Sequence, residues 1–71
     1  MPKPMRYEIV VTGHGTNLLT TVLDGFEVVD SEPGETRLVG WVPDQGALHA
    51  RLERLRDLNI ELRDVHRMDD D

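Results

Sequence analysis

The chain has 71 residues, no cysteine, 38% hydrophobic residues, and 14 acidic against 8 basic side chains, for a formal net charge of -6. That leaves room for one small domain near the lower size limit for a self-sufficient core, so self-association is expected. It excludes a disulfide scaffold, a Cys-ligated metal site and a thiol nucleophile. The acidic balance, with a pI of about 4.8, argues against general nucleic-acid binding, which needs cations to replace phosphate counterions. The longest apolar runs, Ile9-Val10-Val11 and Leu18-Leu19, fall far short of a membrane span. Met1-Pro2-Lys3-Pro4 lacks the apolar stretch of a secretory signal, so a cytoplasmic protein is expected.

Residues 1–5 read as a flexible tail because Pro2 and Pro4 deny regular structure. Arg6 to Thr12 alternates, with Tyr7, Ile9 and Val11 on one face of a strand. Gly13-His14-Gly15 breaks it. Thr16 or Asn17 then caps a short helix carrying Leu18, Leu19, Val22 and Leu23. Gly25 suits the left-handed position that closes such a helix. Phe26 to Ser31 alternates again. Glu32-Pro33-Gly34-Glu35 is a turn, because proline presets φ and glycine permits a positive one. Thr36 to Val42 makes the other arm of this hairpin.

Asp44 is a good N-cap for a second helix. Its apolar stripe is Leu48, Leu52, Leu55 and Leu58, and Arg51, Arg54 and Arg56 interleave with Glu53 and Asp57 on a solvated, salt-bridged face. Asn59 is a left-handed stop. Ile60 to Met68 forms the last strand, and Asp69 to Asp71 an acidic tail. The single domain therefore spans 6–68 in the order β-α-β-β-α-β. This is the α+β, ferredoxin-like two-layer sandwich, a four-stranded antiparallel sheet of order 4-1-3-2 with both helices on one face.

Two helices cover one sheet face only. Alternation gives that face Tyr7, Ile9, Val11, Phe26, Val28, Leu38, Val42, Ile60 and Leu62. The open face then carries an apolar centre of Val10, Val29, Val39, Trp41 and Val65, ringed by charges. A contiguous apolar patch on a small domain marks an interaction surface, and tryptophan is a favoured anchor. The bland alternative is that valines are merely good strand formers on a half-exposed face. One aromatic residue and a negative charge do not make the stacking platform of an RNA-binding sheet.

Gly13, His14, Gly15, Thr16 and Asn17 join a strand to a helix, where backbone N–H groups can face a carboxylate or phosphate. The segment lacks the Lys-Ser/Thr of a P-loop and the third glycine of a dinucleotide fingerprint, so a plain tight turn needing flexible backbone is the preferred reading. The three histidines, His14, His49 and His66, show no i,i+4 pair, so no metal or other cofactor is expected. His49 is expected at the edge of the core. Strict alternation sends Asp64 to the helix-covered face, where an unpaired carboxylate is costly. A strand-end position, a bulge that re-aims the strand, or a catalytic acid would each account for it.

The run Thr36-Arg37-Leu38-Val39-Gly40, followed by Asp44-Gln45, Ala47-Leu48-His49 and Leu55-Arg56-Asp57-Leu58, resembles a group of small actinobacterial proteins over the last half of the chain. That resemblance implies a shared pattern at Asp44, Gln45 and His49 and carries no function. In element order and length the chain is also similar to ACT-type regulatory domains, which pair and bind amino acids near a glycine-containing loop after the first strand. Thr16-Asn17 stands where those domains carry Pro-Gly.

Three functions follow as expectations. The first is a non-enzymatic module that associates through the open face, with a second copy or a larger protein. The second is a sensor of a small anion at 13–17. The third is a cofactor-free enzyme using His14, His66 or Asp64, and for that no pocket or partner group is identifiable.

Overall fold

In a computed structural model, which describes residues 3–13 and 16–68, six elements follow one another. They are β1 (Met5–Thr12), α1 (Thr16–Val22), β2 (Phe26–Glu32), β3 (Glu35–Val42), α2 (Gln45–Asp57) and β4 (Leu62–Arg67). The strands form one antiparallel sheet of order β2-β3-β1-β4, which read from the other edge is 4-1-3-2. Two helices and a four-stranded antiparallel sheet in this order are consistent with a ferredoxin-like fold. No helix among the described residues is long and apolar enough to cross a membrane.

One face of the sheet carries the core. Tyr7, Ile9, Val11, Phe26, Leu38 and Val42 pack with Leu19, Val22 and Leu23 from the α1 segment and with Leu48 and Leu55 of α2. The α1 stripe is narrower than expected, because Leu18 stays exposed. Gly25 has a φ of 89° and Asn59 one of 59°, the left-handed stops after each helix. Gly34 in the hairpin turn has a φ of 86°. Asp44 caps α2, its Oδ1 accepting from the Ala47 N–H at 2.8 Å.

Two residues of β3 are tied to their positions by shape and by hydrogen bonding. Gly40 pairs with Phe26, and a Cβ there would lie 2.6 Å from Phe26 Cγ and 2.6 Å from the Gly25 carbonyl oxygen. The phenylalanine ring therefore occupies the space a side chain would need. Thr36 is wholly buried on the core face, and its hydroxyl donates to the Gly13 carbonyl at 2.9 Å. Sequence patterning reveals neither role.

Several expectations are corrected. Met5 is not tail but the first residue of β1, paired with Val42 and packed against the core. Leu58 is the exposed C-cap of α2 rather than part of its buried stripe. Arg51 is half-buried and tied to backbone, its Nε donating to the Asp24 carbonyl at 3.1 Å and its Nη1 to the Ala47 carbonyl at 3.0 Å. A guanidinium carries several donors in a fixed fork, so one side chain braces α2 against the turn after α1.

Candidate functional site

β4 does not alternate evenly. Val11 pairs with Leu62 and Val10 with Asp64, so Arg63 is an extra residue opposite no partner. Such a bulge re-aims every side chain beyond it. Asp64 and His66 consequently join Val10 and Glu8 on the open face, while Val65 pairs with Ile9 and packs against the core. This resolves the position of Asp64. It also corrects Val65, which strict alternation puts on the open face.

The centre of that face is polar. Glu8, whose side chain is only 13% exposed, stands between two cations or potential cations. Its Oε2 lies 3.7 Å from Arg37 Nε, and its Oε1 lies 3.2 Å from His66 Nε2. The other ring nitrogen, Nδ1, is 2.8 Å from Asp64 Oδ2. One ligand atom each from Glu8, Asp64 and His66 falls within 4.8 Å of the others. Val10 pairs with Arg37 on one side and Asp64 on the other, and is 6% exposed. It is thus a floor beneath charged neighbours rather than an exposed member of an apolar patch.

The exposed apolar side chains of β2 and β3 are interleaved with the charged Glu27, Asp30 and Arg37. Trp41 and Val29 are each 54% exposed, and Val39 is half-buried. Trp41 pairs with Arg6 one residue before the end of β3, so it sits at one end of the sheet and not at its centre. Val29 falls at a second bulge, between the pairs Val28–Leu38 and Asp30–Arg37. Of the five residues expected in the patch, Val39 and Trp41 are neighbours on β3, while Val29 on β2 lies nearer Arg37 than Trp41, with Glu27 opposite Val39 between them.

The loop after β1 offers less. Gly13 has a φ of 94°, but its N–H donates to the Gly34 carbonyl at 2.9 Å and its carbonyl accepts the Thr36 hydroxyl. Both backbone groups are thus committed to closing the loop. His14, Gly15 and the side chains of Thr16 and Asn17 lie outside the described residues. His49 is exposed and borders the core at Leu55. It lines a groove of about 610 Å³ between α2 and β4, floored by Leu52, Leu55, Ile60 and Leu62.

A family model described as a domain of unknown function, DUF8691, matches residues 6–66. The chain belongs to that family. No curated protein and no solved structure matches it. The DUF8691 match runs from the first residues of β1 to His66 in β4, so it takes in Glu8, Arg37, Asp64 and His66 together with Val29, Val39 and Trp41. Glu8 and Arg37 are legible as open-face residues of the DUF8691 domain from alternation alone. His66 is not, because it depends on the bulge. The signal that could have found it is Asp64, a carboxylate that regular alternation would bury.

Proposed function

We propose that this DUF8691 domain is a non-enzymatic association module, a ferredoxin-like sandwich whose open sheet face packs against a second copy of itself. The observation that carries this reading is the half-exposed Trp41 beside Val39, with Val29 on the neighbouring strand. Two of the five large hydrophobic side chains left exposed among the described residues belong to this strip. A chain this short gains more than most from burying such a strip. A second copy suits it because the face carries exposed apolar side chains, Trp41 and Val29, together with groups of both charges, Arg37 on β3 and Glu8 on β1. A two-fold pairing needs a surface that complements itself. A cytoplasmic setting is part of the same proposal.

A dilution series followed by two-dimensional amide spectroscopy tests it. The Trp41 indole and the Val29 and Val39 amides should shift with concentration, while Leu18 and Leu58 stay fixed. Movement confined to Leu18, Leu58 or the α2–β4 groove would point to a different surface and end the proposal.

A further inference from the structure

We infer that Glu8, Asp64 and His66 form a site for a divalent transition cation of the zinc type. The donors are one imidazole and one carboxylate, with a second carboxylate on the far ring nitrogen, a set that suits zinc, nickel or cobalt. It comes from β1 and β4, and the Arg63 bulge is what turns Asp64 and His66 towards Glu8. The absence of an i,i+4 histidine pair does not bear on it, since that spacing describes helical ligands and these lie across a strand pair.

The geometry assigns a role to each group. His66 Nε2 and Glu8 Oε1 are 3.2 Å apart. Two donors at that separation subtend about 100° at a metal ~2.1 Å from each, as in tetrahedral or octahedral coordination. Asp64 sits on the other ring nitrogen at 2.8 Å. A carboxylate there accepts Nδ1–H, fixes the tautomer and leaves the Nε2 lone pair for the metal, the arrangement of carboxylate–histidine–metal sites. Arg37 lies nearest the far oxygen, Oε2, of Glu8, so it orients the ligand while Oε1 stays directed at His66. Glu8 and His66 are therefore the ligands, Asp64 and Arg37 the positioning residues, with water completing the shell.

Zinc chloride is titrated calorimetrically into the full chain, with nuclear magnetic resonance of the histidine rings read in parallel. The expected result is one cation per chain, with the perturbation at His66 Nε2. His66→Gln and Glu8→Gln abolish this binding, and Asp64→Asn weakens it about 10- to 100-fold. His49→Gln leaves it unchanged. No saturable binding, or ring perturbation at His14 or His49 with His66 unmoved, overturns the site. So does equal affinity in His66→Gln and the unaltered chain. The ring signals come from the unaltered chain, so the outcome does not depend on how well any variant folds.

Discussion

Gly40 shows how one position can be fixed by its neighbour. Phe26 covers it so closely that an added methyl group meets the ring and the Gly25 carbonyl. Gly40→Ala should lower stability by about 1–3 kcal/mol, because overpacking forces a shift in backbone or ring. Urea unfolding of the two proteins would measure it, and an unchanged midpoint would remove the packing argument. Thr36 is fixed by polarity instead. Thr36→Val keeps the shape and leaves the Gly13 carbonyl without its hydroxyl partner, which should remove about 1 kcal/mol. Neither role shows in a hydrophobicity pattern. Glycine in a strand reads as weakness, and a threonine between charged neighbours reads as surface. Asp44 is legible, because its effect is local: a side-chain oxygen accepting from a backbone N–H three residues on.

At the scale of elements, order and type are readable from periodicity, turn residues and left-handed stops. The hairpin at Gly34 and the helix ends at Gly25 and Asn59 depend on the backbone freedom of single residues, so the sequence carries them openly. Asp44→Ala should weaken α2 by about 1 kcal/mol, measurable as a lower melting temperature. Arg63 is the contrary case. A bulge leaves little local trace, yet it decides which face His66 and Val65 occupy. Deleting Arg63 would join Leu62 directly to Asp64 in regular alternation while keeping the pairs Val11–Leu62 and Val10–Asp64. The ion pair lost with it, to Glu35 at 3.8 Å, is exposed and worth little. The deletion variant should therefore fold cooperatively, with its stability changed by no more than ~1 kcal/mol. Loss of folding would mean the extra residue is structurally required and not merely accommodated.

For the molecule as a whole, what matters is how the open sheet face is divided. Alternation identifies that face but not its centre. It counts Val10 and Val65 as exposed, whereas the flanking side chains cover one and the bulge turns the other inward. What remains is an apolar strip near Trp41 beside a charged cluster around Glu8. The most direct test of the association proposal is mass in solution, by light scattering after gel filtration, for the unaltered chain and for Trp41→Glu. Trp41 is half exposed, so the substitution spares the core while placing a charge in the strip. A dimer for the unaltered chain and a folded monomer for Trp41→Glu are the expected pair. A monomer in both, or a dimer untouched by the charge, would contradict self-association through this face.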